Sequence, residues 1–259
     1  PRGTIYDRNG RPLAMSVVTK SLYADPKMIK QSPSEVAELI APYVTMSKED
    51  IVKSLQEDTA FVWIDRMMEP EKSKAVAQLI EDKNLEGLNF VEESKRYYPN
   101  GNYLSQVLGT INSEGVGLTG LELQYDDYLS GLSGIRIGGI DAYSNDLPFV
   151  SGKQTNAING KDIVTTIDEN LQYYAELVAK EGLETHKAKR VSITIMNPNN
   201  GEILAMANAP GYDPNSPYEE YENFEGETEN DKIQNMWRNS IVSDTYEPGS
   251  TFKIITMAA

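Results

Sequence analysis

The sequence predicts an α+β fold, and three stretches carry that prediction. Residues 32–84 place apolar side chains at helical spacing. Residues 85–160 are rich in Gly and Asn with short apolar runs, which predicts strands and turns. Residues 162–207 read as a strand, a long helix and a hairpin. At 259 residues, the chain is one large domain or two ordinary ones.

Each element has a local reason. Residues 1–31 are extended and turn-rich, with Asn9-Gly10 as the strongest tight-turn signal. Ser32-Pro33-Ser34-Glu35 is a capping box with Pro at the first helical position, and Val36, Leu39, Ile40 and Tyr43 form its apolar stripe. Ser47 opens a second helix with Ile51 and Leu55 inward. Glu69-Pro70-Glu71 opens a third, with Ala75, Val76, Leu79 and Ile80 expected to be buried. Residues 144–160 are polar with Pro and Gly, and mark the expected domain boundary. Residues 162–167 predict a strand, and Asp168 caps a helix with Leu171, Tyr174, Ala175 and Val178 on one face. Residues 191–196 and 202–207 flank the turn Asn197-Pro198-Asn199-Asn200-Gly201 and predict a hairpin. Residues 211–235 read as a polar loop, with seven acidic residues between Glu219 and Asp231.

Composition narrows the function. An apolar fraction of 39% suffices for a core. A net charge of −15 without a basic patch excludes general binding to nucleic-acid backbones and disfavours anionic lipid surfaces. No apolar run approaches the ~18 residues of a membrane span. The chain opens at Pro1 without a signal peptide and reads as trimmed. Cysteine is absent, so disulfides, thiolate zinc sites and Cys nucleophiles are excluded. A Ser-His-Asp triad would have to use His186, the single histidine.

One segment carries chemistry. After the break at Pro248-Gly249, Ser250 precedes an apolar helical run, with Lys253 one turn on and on the same face. A serine hydroxyl needs a neighbour to take its proton, and a lysine does this when burial disfavours its charge. Phe252, Ile254 and Ile255 are candidates for that low-polarity wall. Ser-x-x-Lys alone arises about once by chance in a chain like this. On the residues alone, a capped helix with a surface lysine and a Ser–Lys nucleophile therefore both stay open.

The segment 246–253 (YEPGSTFK) resembles the acylation motif of the penicillin-binding proteins, the serine D,D-transpeptidases of peptidoglycan synthesis. Residues 197–207 resemble the hairpin that precedes their active serine. Residues 211–215 (GYDPN) follow in family order, and Thr166-Ile167-Asp168 with Leu171-Gln172 resembles the opening of the transpeptidase domain. Residues 2–10 (RGTIYDRNG), 96–101 (RYYPNG) leading to 107–109 (VLG), and 117–122 (GLTGLE) with Tyr125, Asp126, Leu129 and Gly131 are similar to three signatures of class B.

The resemblance implies an elongated molecule. Residues 1–157 would be the pedestal (dimerisation) domain with a helical insert at 32–84. Residues 158–259 would be the incomplete start of a transpeptidase domain of serine β-lactamase-like fold. It implies Ser250 as nucleophile, Lys253 as its base and the Ser250 N–H as half of an oxyanion hole. Arg2, Asp7, Arg8, Arg96 and Glu122 are implied as a salt-bridge network fixing the pedestal against the catalytic domain. No metal or cofactor is implied. The implied partners are the D-Ala-D-Ala stem peptide, β-lactams and proteins of wall synthesis or division, with an N-terminal membrane anchor upstream on the extracytoplasmic face. The family's later Ser-x-Asn and Lys-Thr-Gly motifs do not occur in the chain. It is thus expected to be an N-terminal portion of a longer protein, inactive alone. Its uncovered apolar faces are expected to be held by self-association, a second chain or rearrangement. The alternatives are a scaffold that recruits wall-synthesis partners, and a β-lactam sensor or β-lactamase relative, which would lack the pedestal signatures.

Overall fold

The computed structural model describes residues 1–132, 134–137 and 153–259. Residues 144–152 of the expected boundary lie outside the described residues. The chain forms two compact units, Ser16–Tyr97, and Pro1–Met15 with Tyr98–Ala259.

The chain begins with β1 (Ile5–Tyr6) and β2 (Pro12–Ala24), antiparallel with Ile5 opposite Ala14. The Asn9-Gly10 turn forms as the sequence predicts, with Gly10 at φ +83°. Asp7 organises it, accepting from the N–H groups of Asn9 and Arg11, each at 2.8 Å. Burial pushes the Asp7 carboxyl up, but the N–H donors of Arg11 and Asn9 outweigh it and hold the carboxyl below its usual range.

In Ser16–Tyr97, the later part of β2 pairs with β3 (Val62–Met68) and with β4 (Leu88–Tyr97). The helices α1 (Pro33–Ile40), α2 (Lys48–Ser54) and α3 (Pro70–Lys83) cover this sheet. The Ser32–Glu35 capping box is made in both directions, at 3.3 and 3.1 Å. Leu22, Val36, Ile40, Ile51, Ile64 and Val76 form the core. Of the stripe expected on α3, only Val76 is buried; Ala75, Leu79 and Ile80 are half-buried. Ser73 takes a buried place instead, its hydroxyl donating to the Pro70 carbonyl at 3.1 Å.

Residues 98–132 correct the prediction of strands and turns. They carry three single-turn helices, α4 (Ser105–Leu108), α5 (Gly120–Gln124) and α6 (Asp126–Leu129). Glycines allow this tight folding. Gly109 has φ +79°, and a Cβ there would lie 2.0 Å from the Thr119 carbonyl oxygen. Leu104, Leu108 and Leu129 then join Ile5, Leu13 and Tyr98 in a second core.

Strands β5 (Ile135–Ile137) and β6 (Lys153–Thr155) form a separate antiparallel pair. The strand expected over 162–167 shortens to β7 (Ile163–Val164), parallel to β1. Helix α7 (Glu169–His186) starts at Asp168, whose carboxylate accepts from the N–H groups of Asn170 and Leu171. The predicted hairpin is β8 (Val191–Met196) and β9 (Ile203–Ala209), with Val191 opposite Ala209.

Helix α7 corrects the expected inner face. It buries Gln172, Ala175 and Ala179, while Leu171, Tyr174 and Val178 are exposed. The reason lies in β9, which presents Ala205, Ala207 and Ala209. An alanine-lined strand admits close approach only by small residues, so Ala175 and Ala179 face it. Gln172 is wholly buried beside them. It accepts from Met206 N–H at 2.7 Å and donates to Met206 C=O at 3.0 Å.

The polar loop expected over 211–235 ends earlier. Thr228 and Asp231 form a capping box that opens α8 (Glu229–Trp237), followed by α9 (Ser240–Ser243). Ile233, Met236 and Trp237 bury against Tyr212. Among the described residues, no helix is long and apolar enough to cross a membrane.

Candidate active site

The segment that bears Ser250 leaves the fold at a charged post. Asp244 caps the end of α9, its N–H donating to the Ser240 carbonyl at 3.0 Å. Its carboxylate joins Arg190, just before β8, at 2.8 Å, and Arg238, at the end of α8. A neutral network lies beside it. Ser192 and Ser240 each donate to the Asn208 side-chain oxygen, at 2.8 and 2.9 Å. The Asn208 amide donates in turn to Asn239 at 3.0 Å. These contacts tie the lead-in of Ser250 to both strands of the hairpin. None of Asp244, Asn208, Ser192 or Ser240 was evident from the sequence, because most of the partners lie 31 to 54 residues apart or rest on a hairpin register.

Beyond the post, Pro248 has φ −71°, and Gly249 is left-handed at φ +55°. Residues Gly249–Phe252 form a 3₁₀ turn, and α10 (Lys253–Ala258) continues it. Residues i and i+3 eclipse in such a turn, so Ser250 and Lys253 share one side of it. Lys253 N–H donates to the carbonyls of Ser250 and Thr251, and Thr251 N–H donates to Pro248 C=O at 3.2 Å. Among the described residues, the hydrogen bonds of residues 249–259 are all local.

Ser250 and Lys253 are both exposed, and among the described residues neither the Ser250 hydroxyl nor the Lys253 ammonium has a hydrogen-bond partner. The low-polarity wall expected from Phe252, Ile254 and Ile255 is not assembled: these residues are 52%, 74% and 59% exposed. Among the described residues, no hydrogen bond ties residues 249–259 to any residue before Pro248. Helix α10 is only six residues long and its apolar side chains point to solvent. His186 is exposed at the end of α7 and joins no triad among the described residues.

The other implied residues divide by role. Arg2 reaches Glu122 and Asp126, each at 2.6 Å, and the Glu122 side chain is fully buried. Burial raises the Asp126 carboxyl, but the Gly117 N–H and Arg2 outweigh it and set it low. These bonds staple the first residues to α5 and α6, both before residue 157, rather than to the later region. Arg8 does reach the later region, pairing with Glu202 at 3.3 Å. Asp7 serves its own turn and, among the described residues, makes no ion pair in the network. Arg96 is buried. The 211–215 segment is also fastened: Asn215 exchanges two hydrogen bonds of 3.0 Å with the Tyr98 backbone, and Tyr212 N–H donates to Ser105 Oγ at 3.2 Å.

Comparison with known proteins gives this geometry a lineage. The model of the penicillin-binding protein dimerisation domain matches residues 1–165, and that of the penicillin binding protein transpeptidase domain matches residues 191–259. The chain belongs to the class B penicillin-binding proteins. It is 35% identical to a probable peptidoglycan D,D-transpeptidase PenA of Neisseria meningitidis, over 99% of this chain and 42% of that protein. It is 34% identical to stage V sporulation protein D of Bacillus subtilis, over 100% of this chain and 38% of that protein. The class B chain thus spans about two fifths of the length of these relatives. Among solved structures, it is similar to penicillin-binding protein 2X from Streptococcus thermophilus, with 28% identity and a TM-score of 0.59 over 83% of this chain and 35% of that one. The fold alone is shared with a penicillin-binding protein solved in complex with MreC from Helicobacter pylori, with 24% identity and a TM-score of 0.69 over 98% of this chain and 49% of that one.

Proposed function

We propose that this chain is part of a peptidoglycan D,D-transpeptidase in which Ser250 is the acylated nucleophile and Lys253 its base. The observation that carries the reading is the Ser-x-x-Lys turn at 250–253, lying within a stretch matched by the transpeptidase family model. The Ser250 oxygen attacks the carbonyl carbon between the two D-alanines of a stem peptide, and its proton passes to the Lys253 amine. The tetrahedral oxyanion collapses, the C–N bond breaks, and the departing D-alanine amine takes a proton. A second stem-peptide amine then displaces Ser250 and completes the cross-link. β-Lactams acylate the same oxygen, with ring opening in place of a leaving group. The Ser250 N–H, which donates no hydrogen bond among the described residues, is one oxyanion donor.

Residues 1–157 serve as pedestal and 158–259 as the beginning of the catalytic domain, at the outer face of a bacterial cytoplasmic membrane and beside other wall-synthesis proteins. The 259 residues alone are inactive, because the lysine lacks a low-polarity wall. The test is labelling with a fluorescent penicillin, read by gel and intact mass. The full-length protein is expected to label and its Ser250→Ala form not to. Absence of label on the full-length protein overturns the reading, and Ser250-dependent label on the 259-residue chain overturns the claim of inactivity.

A further inference from the structure

A groove of about 820 Å³ opens between α7, the 100–103 segment and residues 208–211. That volume falls within the range of about 300–1,000 Å³ usual for ligand sites. Neither Ser250 nor Lys253 lines it. Its lining is fixed by part-buried bonds: Gln106 donates to the Pro210 carbonyl at 3.0 Å, and Leu104 N–H donates to Glu176 Oε1 at 2.8 Å.

The lining is specific in chemistry. Tyr173 and Tyr174 stand on the α7 wall, 57% and 63% exposed, with their rings edge to face at 5.6 Å. Glu176 Oε1 accepts from Leu104 and Gln172, whereas Oε2 has no donor among the described residues. The amides of Asn100 and Asn102 line the rim, and their side chains make no hydrogen bond to the described residues. The Arg11 charge is taken up by Glu169, and Lys180 shares the lining with Glu176 and Glu184. A phosphate or nucleotide finds no net positive charge here. What remains suits a neutral ring with apolar C–H faces for the tyrosines, hydroxyl donors for Glu176 Oε2, and acetamido or hydroxyl groups for the asparagines.

We propose that this groove binds a saccharide strand of N-acetylhexosamine type, apart from the acylation site. The choice of sugar rests on the peptidoglycan reading; the groove itself does not. Binding a glycan here would hold a polymeric substrate while its stem peptide reached the serine.

The test uses the full-length protein with chitotetraose, the β-1,4 tetramer of N-acetylglucosamine, in isothermal titration calorimetry. Saturable binding is expected, with about tenfold weaker affinity in Tyr173→Ala and in Tyr174→Ala. Fluorescent penicillin labelling of Ser250 at the unaltered rate verifies that the variants retain the fold. Absence of saturable binding, or affinity unchanged in both variants, overturns the proposal. A protein segment seated on the two tyrosines would give that same absence. In the unaltered full-length protein, absence of sugar binding with labelling intact rejects the groove alone, and absence of labelling with sugar binding intact rejects the transpeptidase reading alone.

Discussion

Replacing Gln172 by Leu tests how α7 is joined to the hairpin. The side chain is wholly buried and makes three hydrogen bonds, two with the Met206 backbone and one to Glu176 at 2.8 Å. It therefore pairs with β9 as a neighbouring strand would. Leucine matches the bulk but leaves the Met206 N–H and C=O without that partner. Each orphaned buried group costs about 1–3 kcal/mol. Met206 is only half-buried, so solvent recovers part of this, and the expected loss is about 2–4 kcal/mol. Urea unfolding followed by circular dichroism measures it, with the slope checked for constancy. Gln172→Glu separates volume from hydrogen bonding. Its carboxylate still accepts from Met206 N–H but offers no donor to the carbonyl, and it places a second acid beside Glu176. It is expected to be destabilised more at neutral than at acid pH. A loss below about 0.5 kcal/mol for Gln172→Leu, the range of an ordinary surface change, would refute the reasoning.

Other expectations follow from single sites. Burial raises the Glu176 carboxyl above its ordinary value, outweighing the opposing bonds from Leu104 and Gln172. The folded state then holds a proton that the unfolded chain releases first, so this group's contribution is full below its unfolded pKa and is lost as pH rises through the raised one. Glu176→Gln is expected to flatten that fall in pH-resolved urea unfolding, and an unchanged profile would contradict the assignment. Gly109→Ala is expected to prevent stable folding, because its Cβ would lie 2.0 Å from a carbonyl oxygen at φ +79°. Gly10→Ala has φ +83° but open space around it, so about 1–2 kcal/mol is expected; equal melting losses at the two sites would show that the clash is not the cause. Asp244→Ala removes two partly exposed ion pairs, so about 1 kcal/mol or less of stability should go. Penicillin labelling of the full-length protein should slow, because the lead-in to Ser250 loses its post; unchanged labelling would release Asp244 from that role.

The parts legible in the sequence were those decided by neighbours in the chain. The Ser32–Glu35 capping box, the Asn9-Gly10 turn, the Asp168 cap and the 191–209 hairpin depend on residues within a few positions of one another, and all four formed. The Thr228–Asp231 box was equally local, and the density of acid around it hid the helix. Other features were illegible because a distant partner decides them. Apolar periodicity placed Leu171, Tyr174 and Val178 inward, but the alanines of β9 admit only Ala175 and Ala179, so the helix turns its larger residues to solvent. The Ser250–Lys253 spacing was readable as a motif, whereas its environment was not.

That last contrast explains how one sequence can carry the Ser-x-x-Lys motif and leave its surroundings unassembled. A Ser-x-x-Lys turn is made by backbone geometry alone: Gly249 at φ +55° breaks the chain direction, and a 3₁₀ turn sets the two side chains on one side. Activation of the lysine is a different kind of property, since it needs low polarity on every side of the amine. Local chemistry supplies the first within ten residues. The second requires cover for Phe252, Ile254 and Ile255, which are exposed here. The Asp244 post and the Asn208 network fasten only the approach to the turn. Reactivity of Ser250 should therefore follow the burial of α10 rather than the integrity of the turn, and any partner or segment that covers this helix should raise penicillin labelling as it lowers the exposure of Ile254 to hydrogen exchange at its amide.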